Sequence, residues 1–459
     1  MLFPTFTFIL GFLPVTAIIY FLLAKKSILI SRIWLIAASV VFYSWFNWSY
    51  GLILAGSVLF NWFFAQWLIR NRSKFILTLG IIGNVLLLGY FKYYDFFVEN
   101  INCFFGTSWA LKRILLPLGI SFFTFQQISF LVLVWQRALA QRYSFTSYTL
   151  FVCFFPQLIA GPIVLPDEMM SQFDKKENSL PNSDNIAKGI YVFSLGLAKK
   201  ILLADFFAET ADWGFAELSG NFTEAWISAL GYAFQIYFDF SGYCDMAIGI
   251  GLIFNIVLPK NFDSPYRSGS ITEFWRRWHI TLGRFLMSSI YIPLGGNRGG
   301  KVRTCWNLLV TFFISGLWHG ASWLFVLWGM MHGAALVIHR IWSKFLNLRM
   351  PEIAGRIITF LFVVIAWVPF RAASWGDAMK FYKAMFMPQS WEFKVNPARG
   401  LLDVQLLAAG LIVVFLMPPV HAMAEKFRPS WCRALIAIIC LTVSMFCFVK
   451  VSPFIYFNF

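Results

Sequence analysis

Charged side chains are scarce in this sequence: only 13% of its 459 residues are Asp, Glu, Lys or Arg, about half the share found in an ordinary soluble domain. Acidic residues are fewer than basic residues: the sequence has 21 Asp and Glu and 37 Lys and Arg, so its net charge is +16. Of all residues, 59% are hydrophobic and 20% are aromatic. This composition excludes a soluble, fibrous or disordered protein and indicates one that crosses a membrane several times.

Other absences narrow the class of protein further. The seven cysteines stand singly, without a CxxC pair, so neither a disulfide framework nor a structural zinc site is indicated. No HExxH motif or other close pair of histidines is present, and we expect no metal. Because no basic stripe is interleaved with aromatics, the excess of Lys and Arg predicts cytoplasmic loops and contacts with membrane lipids, not nucleic-acid binding. No period of 20–50 residues recurs, which favours a single membrane domain over residues 1–459.

Long apolar runs predict an all-α, polytopic membrane protein with about eleven transmembrane helices plus interfacial and re-entrant helices. Among the predicted spans are 146–165 and two separate spans at 223–240 and 243–258. The amino-terminal run has no basic region and no cleavage site, so we expect a retained first span. Basic clusters flanking the second and fourth spans predict that the amino terminus faces outward.

Residues 270–290 differ from the other segments because they are amphipathic at helical spacing. If the segment is one continuous helix, Glu273 and Arg277 share a face with Thr281, and aromatic residues line the opposite face. We therefore expect a helix at the membrane interface, with Arg276 and His279 at the border between its two faces.

A long uncharged segment follows. Between Arg303 and Arg340 there is no Asp, Glu, Lys or Arg, and both flanks are basic. Both ends therefore belong on the cytoplasmic side, and the 36 residues between them are long enough for two short spans. The turn of this helical hairpin falls at SGLWHGASW (315–323), which places His319 at depth in the membrane.

Ionisable side chains in such a setting are candidates for function. His319 stands between tryptophans and glycines, and a neutral buried imidazole can act as a general base, although a hydrogen-bonded packing role is the alternative. His339 and His421 are expected at the interface, while His332 fits either role. For Asp239 and Asp245, partners that hold each carboxylate in place are favoured over a catalytic pair, because six residues put them on opposite helix faces unless the helix breaks at Gly242.

At this level of detail the chain resembles the membrane-bound O-acyltransferase (MBOAT) family, in its bacterial branch that acetylates alginate, peptidoglycan and cellulose. The resemblance spans most of the sequence and rests on strings that occur in the expected order: PLGISFFTFQQIS (117–129), FPQLIAGPI (155–163), FDFSGYCDMAIG (238–249), NFDSPYRSGSITEFWRRWHITL (261–282), YIPLGGNR (291–298), SGLWHGASW (315–323), LWGMMHG (327–333) and SPFIYFNF (452–459).

The resemblance implies a ring of helices around a tunnel and gives roles to individual residues. It makes His319 the general base that deprotonates an acceptor hydroxyl, which then attacks an acyl thioester. It makes His279 a group that orients the acyl donor, acetyl-CoA, together with Arg276 and Arg277. Trp318, next to His319, is expected to contact the same donor.

Two departures from the family pattern leave the substrate open. Met287, Ser288 and Ser289 stand where relatives usually have Arg, Asp and Tyr. Leu133, Trp135 and Gln136 stand where relatives usually have Asp, Tyr and Arg. The departures do not involve the two histidines, but they leave the polysaccharide undetermined.

The carboxyl-terminal string FIYFNF (454–459) is similar to the aromatic tail of the small partner protein in D-alanyl transfer. It suggests that Tyr456 enters the tunnel and accepts the acyl group transiently as a phenolic ester. The alternative is an aromatic belt at the membrane surface.

The sequence therefore predicts an O-acetyltransferase of the bacterial inner membrane. By family analogy, a periplasmic SGNH-hydrolase-like partner completes transfer to a polysaccharide acceptor. A transporter or flippase for an acyl or glycan substrate is the alternative, although the internal repeat that such a protein would have is not found.

Overall fold

The computed structural model of this chain is built from helices. It describes residues 1–139, 141, 143–348, 350–448 and 454–455, and for Glu217, Lys344 and Phe345 only the backbone. No strand occurs in these residues apart from one isolated bridge between Asn221 and Ser390. By internal contacts the chain forms two compact units. The first consists of 1–195, 243–259 and 427–448, and the second of 196–242 and 260–426 with Phe454 and Ile455.

The first unit contains successive helices joined by short turns. Ser27, Asn47 and Ser73 begin three of these helices, and each side chain accepts a hydrogen bond from a backbone N–H of the first turn. Asn61 and Asn84 join two neighbouring helices through reciprocal amide hydrogen bonds of 3.0 and 2.7 Å. The helices are Thr7–Phe12 (π), Leu13–Ala24, Ile28–Ser44, Trp48–Arg70, Lys74–Leu88, Gly89–Tyr93 (π), Tyr94–Phe105, Ile120–Gln136, Phe145–Cys153, Phe155–Leu158, Pro166–Asp174, Lys176–Ser179 (3₁₀), Ser183–Ala198 and Trp431–Phe446.

The second unit holds the residues that the sequence singles out. Its helices are Lys199–Ala204 (π), Asp205–Glu217, Pro265–Arg267 (3₁₀), Ile271–Arg277, Ile280–Leu286, Met287–Tyr291 (π), Gly300–His319, Trp323–Arg340, Ile341–Phe345 (π), Glu352–Arg371, Trp375–Phe386, Leu402–Leu416 and Val420–Glu425. Helix Phe222–Ile253 contributes residues to both units, and the last three residues of Ser183–Ala198 belong to the second.

The predicted class, an all-α polytopic membrane protein, is confirmed. Six helical segments of the described chain are long and apolar enough to cross a membrane, and several turn most of their apolar side chains outward, as lipid-facing helices do. The six are Thr7–Ala24, Trp48–Arg70, Lys74–Phe105, Phe222–Ile253, Trp323–Ser343 and Glu352–Arg371; four shorter apolar helices are Ile28–Ser44, Ile120–Gln136, Leu402–Leu416 and Trp431–Phe446. The count of about eleven spans stays a prediction.

Three of the predicted spans are wrong in their boundaries. The predicted spans 223–240 and 243–258 are largely one continuous helix, Phe222–Ile253, because Gly242 serves close packing and does not break the helix. A Cβ atom at Gly242 would lie 2.8 Å from the carbonyl oxygen of Gly196. The predicted span 146–165 is interrupted: its helices end at Cys153 and Leu158, and the chain that follows is buried without regular structure.

Candidate active site

His319 is the last residue of the first helix in a tightly packed hairpin. The hairpin consists of Gly300–His319 and Trp323–Arg340, as the sequence predicts. Glycines let its two helices approach closely, since a Cβ atom at Gly316 would overlap the carbonyl oxygen of Phe325. Gly320 is extended and ends the helix directly after His319, whose side chain is only 2% exposed. The predicted hairpin turn therefore holds a buried imidazole.

The predicted continuous helix over 270–290 is wrong, because the chain breaks at His279. Ile271–Arg277 and Ile280–Leu286 are separate short helices, and His279 between them has a left-handed backbone with φ of 44°. The segment around Asn261 bonds to the broken ends: Ile280 N donates to the Asn261 carbonyl at 3.0 Å. His279 is consequently fully buried and does not lie at the border of an amphipathic helix.

The side chain of Asn261 fixes the tautomer of the His279 imidazole. Its Oδ1 accepts hydrogen bonds from Thr281 N at 3.1 Å and from Thr281 Oγ1 at 2.9 Å, and it lies 3.3 Å from His279 Nδ1. A carbonyl oxygen only accepts, so Nδ1 carries the proton and the lone pair is on Nε2. Burial lowers the pKa of His279 to about 3, which makes the imidazole neutral at physiological pH.

Trp318 connects the two histidines within this unit. Its ring centroid lies 6.0 Å from that of His279 and 4.9 Å from that of His319. Phe240 covers the other side of His279 at 4.8 Å, edge to face. Trp328 and Phe370 pack against His319 at 4.7 and 5.2 Å. We call these six residues the imidazole cluster: His279, His319, Trp318, Phe240, Trp328 and Phe370.

The imidazole cluster supplies two buried imidazoles in an enclosure of aromatic rings. A neutral imidazole can take a proton or accept a hydrogen bond, and aromatic rings pack against both of these imidazoles. An apolar cavity of about 770 Å³ lies elsewhere in this unit, beside Trp342 and Phe362, and neither His279 nor His319 is among its lining residues.

The two arginines that the resemblance assigns to the donor differ in the structure. Arg276 is exposed. Arg277 pairs with Glu273 at 2.8 Å and donates to the Asp263 carbonyl at 3.1 Å, so it joins the first short helix to the segment around Asn261. Tyr456, the proposed acyl acceptor, lies outside the described residues.

The other histidines have partners away from the imidazole cluster or at its edge. His332 is fully buried beside Trp328, and its Nδ1 accepts from Trp275 Nε1 at 3.2 Å. His339 bonds to the Thr272 hydroxyl at 3.0 Å, and His421 lies 3.6 Å from the Asp263 carboxylate. No group of three or more His, Cys, Asp or Glu that could hold a metal occurs in the described part of the chain.

Sequence reasoning missed Asn261. The residue stands in the string NFDSPY that carries the resemblance, yet spacing alone cannot show that the chain returns to place it beside His279, 18 positions later. A polar amide in an apolar region indicates a residue that needs a hydrogen-bond partner, but the sequence does not identify that partner.

Known proteins resemble this chain along its whole length. The model of the MBOAT, membrane-bound O-acyltransferase family matches residues 89–374. A peptidoglycan O-acetyltransferase of Helicobacter pylori is 41% identical over 100% of this chain and 98% of its own length. A protein of Pseudomonas aeruginosa named "Probable alginate O-acetylase AlgI" is 39% identical over 90% of this chain and 81% of its own. A teichoic acid D-alanyltransferase of Streptococcus thermophilus is 28% identical over 50% of this chain and 57% of its own.

These matches confirm the predicted family and the predicted enzyme class, and they imply an acyl donor as substrate. The chain belongs to the membrane-bound O-acyltransferase family and is a multi-pass membrane O-acyltransferase.

Proposed function

We propose that this protein takes an acetyl group from acetyl-CoA on the cytoplasmic side of the bacterial inner membrane and delivers it across the membrane for O-acetylation of an extracytoplasmic polysaccharide. The observation that carries the proposal is the imidazole cluster, in which two buried histidines pack against one tryptophan. Relatives named for peptidoglycan and alginate support this acceptor class. A periplasmic SGNH-hydrolase-like partner completes the transfer.

His319 is the general base of the proposed reaction. It removes the proton from an acceptor hydroxyl, the oxygen attacks the thioester carbonyl carbon, and the C–S bond breaks. The coenzyme leaves as a thiolate and takes up the proton that His319 holds. A positioned general base contributes about 10²- to 10⁴-fold to such a rate, and placement of the reactants contributes further.

His279 accepts a hydrogen bond from acetyl-CoA through the lone pair on Nε2, since Asn261 fixes the proton on Nδ1. Trp318 contacts the same donor beside the reacting carbonyl. The exposed Arg276 attracts the anionic phosphates of the coenzyme, whereas Arg277 contributes through the local structure that it holds.

Tyr456 is proposed as the first acceptor of the acetyl group. In this step its phenol is the hydroxyl that His319 deprotonates, and the product is a phenolic ester with release of the coenzyme thiol. A second hydroxyl, on the partner or the polymer, then attacks the ester and regenerates the phenol. The buried position of Phe454 supports a tail that enters the protein over a tail that forms a surface belt.

Purified protein in sealed vesicles tests the proposal. Acetyl-CoA with a labelled acetyl group is supplied on one side only, and both free coenzyme thiol and protein-bound label are followed. We expect thiol release and label on the protein when the donor faces the cytoplasmic side. Equal thiol release in vesicles without the protein, or none with it, would overturn the proposed donor.

Tyr456→Phe tests the relay separately. The variant keeps the ring and lacks only the phenolic oxygen, so we expect loss of the label from the carboxyl-terminal peptide and loss of polymer acetylation. Tyr382→Phe is the matched control, because that tyrosine lies outside the imidazole cluster. Undiminished polymer acetylation by Tyr456→Phe would exclude the relay.

A further inference from the structure

Three buried or nearly buried charges form a cluster next to the imidazole cluster. Lys200 Nζ lies 2.6 Å from Asp239 Oδ1 and 2.8 Å from Asp205 Oδ1, and the side chains of Lys200 and Asp239 are 4% and 1% exposed. Burying a charge is unfavourable unless a partner of opposite sign compensates it. Lys200 compensates the carboxylate of Asp239 and leaves the second carboxylate oxygen for another donor.

The close approach that makes this cluster possible depends on Gly242. A Cβ atom there would lie 3.1 Å from the backbone nitrogen of Lys200. Helix Phe222–Ile253 therefore passes directly against the π-helical turn Lys199–Ala204, and Asp239, one turn before Gly242, reaches the ammonium group.

The second oxygen of Asp239 binds the carboxyl-terminal segment. Oδ2 accepts a hydrogen bond from the backbone N–H of Ile455 at 2.9 Å. The preceding residue, Phe454, is 4% exposed and packs against Phe240 at 5.6 Å between ring centroids. A hydrogen bond to a charged acceptor is stronger than one between neutral groups, and this one contacts the main chain, so it fixes the path of the segment.

The anchored segment adjoins the imidazole cluster through one residue. Phe240 contacts both Phe454 and His279, with ring centroids 5.6 and 4.8 Å apart. Asp239 and Phe240 are neighbours on one helix, so the residue that binds Ile455 and the residue that packs against His279 are held side by side.

We propose that Asp239, compensated by Lys200, is a positioning residue that anchors the carboxyl-terminal segment through the Ile455 N–H, and that acyl transfer to Tyr456 depends on this anchor. This inference rests on the proposed relay function of Tyr456. It assigns to the buried ion pair a role in transfer beyond stabilising the fold.

Ile455→Pro tests the anchor without touching the ion pair. Proline lacks the N–H that donates to Asp239, while Lys200, Asp205 and Asp239 all remain. Ile455→Val keeps the N–H and is the matched control. Two readouts are measured on the full-length protein in detergent: the rate at which carboxypeptidase removes the last residues, followed by intact mass, and the transfer of labelled acetyl to the carboxyl-terminal peptide.

We expect Ile455→Pro to be trimmed at least several-fold faster than the parent and to lose most of its acetyl transfer, with Ile455→Val close to the parent in both. Asp239→Leu combined with Lys200→Met and Asp205→Asn, which removes all three charges of the cluster together, should reproduce the faster trimming. Trimming of Ile455→Pro at the parental rate would overturn the anchor, whatever the transfer rate. Faster transfer in Ile455→Pro would overturn the dependence of transfer on the anchor, because it would make the contact inhibitory.

The two readouts distinguish a failure of the proposed anchor from a failure of the proposed Tyr456 relay. If Tyr456 is not the acyl acceptor, the parent carries no label on the carboxyl-terminal peptide, and the relay fails while faster trimming of Ile455→Pro still shows the anchor. If the anchor is wrong, the parent is labelled and trimming does not change.

Discussion

His279 adopts a left-handed backbone conformation that few non-glycine residues adopt, at a cost of about 1–2 kcal/mol. Such a position persists only when its surroundings hold it. Here Asn261 does so twice, through its backbone carbonyl to Ile280 and its side chain to Thr281. The break turns the imidazole inward, and the same amide fixes which ring nitrogen carries the proton.

Asn261→Asp tests this arrangement through the pH dependence of thioester consumption. The carboxylate keeps the acceptor for Thr281 but places a negative charge beside Nδ1, which favours the protonated imidazole and raises the pKa of His279 by about 1–3. Protonation removes the lone pair on Nε2, so we expect the rate of the variant to fall as the pH drops through the raised pKa. In the parent, where the pKa of His279 is about 3, titration of His279 should add no acidic limb over the same range, and any limb from His319 is common to both proteins.

Asn261→Leu is the control for the charge. It removes the acceptor without adding a carboxylate, and we expect a lower rate at every pH with no new acidic limb. An Asn261→Asp profile that matches the parent would show that the protonation of His279 does not matter for the reaction.

At the scale of elements, sequence patterns predicted the hairpin because its evidence is local: an uncharged run between basic flanks, with a glycine-rich turn. The patterns failed at residues 222–253 and 270–290, where distant chain decides the structure. Gly242 resembles a helix break in the sequence, but it packs against Gly196 and the helix continues. The amphipathic repeat over 270–290 is regular, but Asn261 bonds to its middle and breaks it.

Gly316→Ala tests whether close packing of the hairpin positions His319. The added methyl would overlap the Phe325 carbonyl, and overpacking of this kind costs about 1–3 kcal/mol. We expect a lower midpoint of heat-induced loss of monodisperse protein, measured by size-exclusion chromatography, and a lower rate of thioester consumption in the protein that remains folded.

Gly56→Ala is the matched substitution in another helix, where a Cβ atom meets nothing within 4 Å. Its midpoint should equal that of the parent or exceed it slightly, since alanine favours a helix over glycine. Equal midpoints for the two variants would contradict a packing role for Gly316.

For the whole molecule, the scarcity of charged residues made it possible to predict the fold class and the candidate histidines from the sequence. Ionisable residues are so few in the apolar stretches of the sequence that His319 and His279 could be considered individually. What the sequence could not supply are the partners: Asn261 for His279, Lys200 for Asp239, and Ile455 for the same carboxylate. Each pair joins residues far apart in the chain, or joins a side chain to a backbone group, and neither periodicity nor charge pattern specifies such a contact.

The proposed role of His319 as general base in attack on a thioester is measured by the release of coenzyme thiol from acetyl-CoA by the purified protein. We expect His319→Ala to lower this rate by about 10²- to 10⁴-fold, the usual contribution of a general base. His339→Gln should keep the parental rate, since His339 bonds to Thr272 outside the imidazole cluster. An unchanged rate in folded His319→Ala protein would exclude His319 as the general base.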